Sequence, residues 1–161
     1  MIRVDLPVSR IRVLSGDAAF LAEVEALYAA LDERTAARGP VCVNRGLCCQ
    51  FEAYGHSLFV TPVELAYFLG TAGVGAFSAP TPGACPHQRA GMCTVRHARP
   101  MGCRVFYCDA GAQDWQAEET EHTLDELKQL HVRYEVPYAY CEWLDALGQL
   151  NGRPSGSCGG V

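Results

Sequence analysis

The sequence predicts a mainly α-helical fold with irregular loops and little β-structure, in which helices flank a cysteine-rich centre. Three observations predict it. Apolar residues recur at helical spacing towards both ends of the chain. The middle is punctuated by glycine and proline, which interrupt regular structure. Seven of the nine cysteines fall between positions 42 and 108.

Residues 2–14 alternate apolar and polar in places and read as a short extended arm or edge strand interrupted by Pro7. Ser15 or Asp17 can cap the helix that follows, whose stripe is Phe20, Val24, Leu27, Tyr28 and Leu31. Gly39-Pro40 stops it, and the stripe reads as core. Ser57–Val60 reads as a short strand. Thr61-Pro62-Val63-Glu64 then starts a second helix, with Thr61 as cap, Pro62 at the first helical position and Glu64 closing a capping box. Gly70 is expected to end it.

Residues 70–84, rich in Gly, Ala, Pro and Thr, suit a flexible connection. A helix is predicted from Ala117 to about Glu135, with Leu124, Leu127, Leu130, His131 and Tyr134 on one face. Glu118, Glu119 and Glu121 read as its solvated, dipole-compensating start. Pro137 separates it from a last helix bearing Tyr140, Trp143, Leu144 and Leu147. Residues 1–150 thus read as one domain and 151–161 as a flexible Gly/Ser-rich tail.

The formal charge of −5 is modest and reads as spread along the chain, without the basic footprint of a nucleic-acid binder. Met1–Leu14 carries Arg3, Asp5, Arg10 and Arg12, so it lacks the uninterrupted apolar core of a signal peptide. No stretch approaches the roughly 18 apolar residues of a membrane span. The expected location is the cytoplasm, where thiols stay reduced, and an odd cysteine count fits a closed disulfide framework poorly.

The cysteines form two groups, Cys42, Cys48 and Cys49, then Cys85, Cys93, Cys103 and Cys108. Gly46, Gly91 and Gly102 let backbone amides approach sulfur, and Arg45, Arg96, Arg99 and Arg104 stand beside four of the cysteines. Gathered thiolates repel at short range and need such compensation, or a cation. Lone cysteines are most often small core residues, but seven set among Gly, Pro and Arg do not fit that role. Adjacent Cys48 and Cys49 are poorly placed to bridge each other. Metal ligation is the expectation for all seven, giving a metal-stapled centre. His56, His87 and His97 are near enough in sequence to supply an imidazole, although exposed or hydrogen-bonded roles suit each better. Cys141 reads as a core residue on the last helix, and Cys158 as a tail residue without a role.

These motifs resemble the YkgJ-type cysteine-cluster family, described as a zinc- or iron-chelating domain. The resemblance lies in Cys42-x-x-x-Gly46-x-Cys48-Cys49, in Cys85-Pro86, and in Cys93-x-Val95-x-x-x-Arg99-Pro100-x-x-Cys103-Arg104-x-Phe106-x-Cys108. It extends more weakly to the Thr61–Gly70 helix and to Pro137-Tyr138-x-Tyr140-x-x-Trp143. Similar patterns occur in flagellin lysine methylases, where they suggest an iron–sulfur cluster. Many members carry a further cysteine at the position of Arg45, so a site needing eight thiolates is one short here. An aromatic residue common in the third motif is replaced by Arg96.

A structural zinc site usually shows paired short spacings, which this chain lacks. Irregular spacings and a Cys-Pro step favour an iron–sulfur cluster or other iron centre over zinc. Three methionines outside any Met-rich tract speak against copper. The expected role is chiefly structural or redox. The alternatives are an iron–sulfur enzyme of methyl-transfer or redox type, although no phosphate or dinucleotide loop is present, and a thiol-redox or metal-handling module. Tyr107 and Phe106 are expected to shield the centre or to pack beside it.

Overall fold

A computed structural model of the chain describes residues 5–39, 49–73, 83–107 and 109–154. It is mainly helical, 64% helix against 7% strand, which agrees with the predicted class. The first element is a correction. Val8–Leu14 is a helix, α1, not an extended arm. An alternating strand would bury Ile11 and Val13 together. Instead Ile11 and Leu14, three apart, are buried and Val13 is 63% exposed. Pro7 stands at the N-cap, where its missing N–H costs nothing.

Helix α2 (Ala18–Arg38) is capped by Asp17, whose carboxylate accepts from the amides of Ala19 and Phe20, and ends at Gly39 in the left-handed conformation. It buries Phe20, Val24, Tyr28 and Leu31, as the stripe requires. The short helix α3 (Phe51–Tyr54) follows Cys49, and strand β1 is Phe59–Val60. Helix α4 (Pro62–Ala72) begins with the predicted capping box. It runs past Gly70, because that residue serves packing. A Cβ there would sit 2.6 Å from the Ser15 carbonyl oxygen and 2.8 Å from Leu21 Cδ2. Every residue from Pro62 to Leu69 is buried, so α4 is the axis of the core, packed against α1 and α2.

Strands β2 (Gln88–Arg89) and β3 (Met92–Cys93) form an antiparallel hairpin with Gln88 opposite Cys93. Ala90 and Gly91 turn it at φ of 50° and 76°, the geometry of a tight primed turn. A turn of 3-10 helix at Arg96–Ala98 packs on α4, and helix α5 (Met101–Val105) packs against both α2 and α6.

Helix α6 (Gln113–Arg133) starts four residues before the predicted Ala117, preceded by a 3-10 turn at Ala110–Ala112. Leu124, Leu127, Leu130 and His131 are buried on it. Because of the earlier start, Glu119 is no solvated terminal residue. It is 8% exposed and ion-paired with Arg34 at 2.6 Å. Strand β4 (Cys141–Glu142) pairs antiparallel with β1, and helix α7 (Trp143–Leu150) ends the described chain. Trp143 meets Phe68 of α4 edge to face, with ring centroids 5.0 Å apart. Arg10 and Arg12 of α1 donate to the carbonyls of Tyr134 and Leu150 at 2.6 and 2.7 Å, placing cations at the C-terminal ends of α6 and α7. Among the described residues, no helix is long and apolar enough to cross a membrane.

Candidate metal centre

Of the seven predicted ligands, Cys49, Cys85, Cys93 and Cys103 lie among the described residues and are present as thiols. Cys42, Cys48 and Cys108 lie outside them, as do Arg45, Gly46 and the tail residue Cys158. Cys49 of the first group and Cys85 of the second, far apart in sequence, are joined through their backbones. The Cys85 amide donates to the Cys49 carbonyl at 2.8 Å, and the Glu52 amide donates to the Gly83 carbonyl at 3.0 Å. Gly83 makes this approach possible. Its φ is +74°, and a Cβ would lie 2.3 Å from the Glu52 carboxylate.

The hairpin then returns Cys93 towards Cys85. The Thr94 amide and hydroxyl both donate to the His87 carbonyl, at 2.9 and 2.6 Å, and pin its base. Cys93 is half-buried. Burial pushes its thiol above the ordinary range and Cys85 adds to the rise, while the Val95 amide, Arg99 and Arg96 oppose it. Cys103, in α5, is tied to the same region through its carbonyl, which accepts from Arg99 Nη1 at 3.3 Å. Among the described residues, no three His, Cys, Asp or Glu side chains form a group able to hold a metal ion.

The three histidines differ in setting. His97 Nε2 is hydrogen-bonded to the Thr71 carbonyl at 3.1 Å. His56 stacks on Phe106, with centroids 5.3 Å apart. His87 meets Phe68 at 5.0 Å, and burial, helped by Arg89, holds its pKa below the usual value. Phe106 is 41% exposed, so it covers His56 while leaving its own outer face in solvent. Gln116 of α6 donates to the Tyr107 carbonyl at 3.1 Å and accepts from the Tyr107 amide at 3.4 Å, which fixes the chain after α5. A cavity of about 190 Å³ adjoins Cys103, walled by His56, Phe59, Phe106 and Tyr140.

Glu64, which sequence reasoning left without a site role, and Arg104, expected only as positive charge beside Cys103, shape α5. Glu64, 1% exposed, closes its capping box on Thr61, and its other oxygen accepts from the Met101 amide at 2.8 Å and from Tyr28 Oη at 3.2 Å. Burial raises its pKa, and the four donors pull it back towards the carboxylate form. Arg104, 6% exposed, donates to Asp32 Oδ2 at 2.7 Å and to the carbonyls of Arg99 and His97 at 2.8 and 2.9 Å. Its guanidinium lies 4.2 Å from the centre of the Tyr28 ring. The signal for Glu64 was its place in the capping box. Its second bond, 37 residues away, left no local trace.

Cys141 is fully buried, as expected of a core residue, but it lies in β4 and is disulfide-bonded. The expectation that the thiols remain reduced is corrected at this position. No family model, curated protein or solved structure matches the chain.

Proposed function

We propose that the chain is a metal-binding protein whose cysteines form a thiolate site, with an iron–sulfur cluster or iron favoured over zinc and a role chiefly structural or redox. The observation that carries this reading is the junction of the two cysteine groups. Cys49 and Cys85 are joined backbone to backbone at 2.8 Å, and Cys93 lies within electrostatic range of Cys85. The donor set fits a thiophilic metal. Sulfur dominates it, Val95 donates an amide to the Cys93 sulfur, and Arg96 and Arg99 offset thiolate charge. Cys42, Cys48 and Cys108 complete the proposed set, as the resemblance to YkgJ-type proteins suggests.

When bound, the metal would supply cross-linking of the loops that carry the thiols, and redox capacity if it is iron. The chain's own residues perform the positioning. Arg104 and Glu64 fix the two ends of α5, and the hairpin turns Cys93 back on Cys85.

Anaerobic purification with metal and sulfide analysis tests the reading. Iron with sulfide and a brown colour is the expected result, and zinc without colour would reverse the preference between metals. Cys49→Ala and Cys103→Ala should each lose metal, whereas Cys158→Ala should retain it. A folded, metal-free protein indifferent to chelators would end the proposal.

A further inference from the structure

The cavity beside Cys103 has no part in the reading above, and its walls carry a chemistry of their own. It lies where β1, α5, α6 and the residue before β4 come together. Two close ring pairs line it. His56 stacks on Phe106 with 18° between the planes, and Phe59 meets Tyr140 at 31° with centroids 5.2 Å apart. Phe59 and Phe106 are 37% and 41% exposed. Apolar side chains exposed singly need no explanation, but two phenyl rings at one cavity do.

The same cavity offers hydroxyls. Ser57, Thr120 and Tyr140 line it, and none of their three hydroxyls is in a hydrogen bond among the described residues. Each can donate as well as accept. Burial, aided by Glu64, Tyr138 and Glu121, pushes the Tyr140 phenol up to about 12, so it stays a neutral donor. Among the described residues, no Asp, Glu, Lys or Arg lines the cavity. A charged ligand would shed its water there without meeting a permanently charged partner.

Size narrows the choice further. The cavity holds about 190 Å³. Sites for cofactor-sized ligands occupy roughly 300–1,000 Å³, whereas an apolar cavity of about 150 Å³ already takes one benzene ring. A single ring with a short substituent fills the space, and a nucleotide does not enter. Aromatic walls favour a flat ring, which can stack or meet them edge to face. Hydroxyls that both donate and accept favour a substituent that does the same.

We propose that this cavity binds a neutral phenol, its ring packed against Phe59, Phe106 and Tyr140 and its hydroxyl bonded within the Ser57, Thr120 and Tyr140 set. The ligand is a free small molecule. A tyrosyl side chain from a partner would instead press peptide amides against the Phe59 and Phe106 faces, which offer them no hydrogen bond. Binding sets the ring beside Cys103 whether or not the thiols hold metal, so the proposal does not rest on the metal reading.

The test is titration of the purified full chain with para-cresol, read by saturation-transfer NMR and calorimetry. Saturable binding with a Kd of about 1 mM or below is expected. Methylcyclohexanol, which keeps the hydroxyl but loses the flat ring, should bind about five- to tenfold more weakly. Para-toluate, with a carboxylate in place of the hydroxyl, should bind at least about tenfold more weakly. Thr120→Val and Tyr140→Phe each remove one hydroxyl at nearly constant shape, and each should weaken para-cresol about three- to tenfold. Circular dichroism checks that both variants are folded. Val132→Ser, on α6 but 80% exposed and outside the cavity, should leave binding unchanged.

No saturation up to the solubility limit of para-cresol would overturn the proposal. So would equal affinity for methylcyclohexanol or para-toluate, or undiminished para-cresol binding in both Thr120→Val and Tyr140→Phe. An equal loss in Val132→Ser would place the ligand elsewhere on the protein. Tighter binding of a blocked tyrosine-containing tripeptide than of para-cresol would overturn the proposal in favour of a protein partner.

Discussion

Glu64 accepts from four donors supplied by α2, α4 and α5, so one buried carboxylate does three jobs: it caps a helix, seats Tyr28 and holds the first amide of the segment bearing Cys103. Its capping role was legible because the Thr-Pro-x-Glu pattern is local. Its tertiary role was not, because a bond across 37 residues depends on how two helices cross. Other residues break local rules in ways that can be measured. Glu135, just past α6, adopts φ +52°, a left-handed conformation that favours glycine. Glu135→Gly should stabilise the protein by about 1 kcal/mol and raise its Tm by a few degrees in thermal denaturation.

His131 is 3% exposed, with Nδ1 hydrogen-bonded to the Leu127 carbonyl at 2.9 Å and Nε2 without a hydrogen-bond partner among the described residues. Burial holds its pKa below the unfolded value. As pH falls from about 6.5 towards that lowered value, the unfolded chain binds a proton that the folded chain resists, and stability is lost. Urea midpoints of the native protein should therefore fall more steeply across this window than those of His131→Phe. Parallel slopes would remove His131 as a source of acid sensitivity.

At the level of elements, the long helices were readable because their apolar spacing and caps are local signals. Asp17 caps α2, Gly39 ends it and Thr61 opens α4. The departures have tertiary causes. Helix α1 was mistaken for a strand because seven residues hold too few turns to separate the two periods. Helix α4 outran its expected stop because Gly70 is a contact point between helices. Alanine for glycine inside a helix ordinarily gains up to about 1 kcal/mol. At Gly70 the new methyl would press on a backbone oxygen of the α1–α2 connection, so Gly70→Ala should lose about 2 kcal/mol in chemical denaturation. An unchanged or increased midpoint would show that α4 slides freely past its neighbours.

For the whole molecule, the spacing of apolar residues made the mainly helical class legible and the fold agrees with it, but the most buried helix, α4, lies between the cysteines rather than at an end. What composition hid was the segregation of charge, because a total of −5 conceals a positive middle and acidic flanks. It also hid the disulfide at Cys141, since an odd cysteine count cannot say which residues pair. The junction of Cys49 with Cys85 was foreseeable only as convergence, not as the backbone contact that creates it.

The bond from Met101 to Glu64 carries a consequence for how the molecule opens. The amide is buried and its acceptor sits in the most enclosed helix, so deuterium can replace that proton only when the core itself comes apart. In isotope exchange, Met101 should rank with Leu65 among the slowest amides, while Ala90 and Thr94 in the hairpin exchange early. The hairpin that carries Cys93 then opens readily, while α5, which carries Cys103, is fastened to the most durable part of the protein.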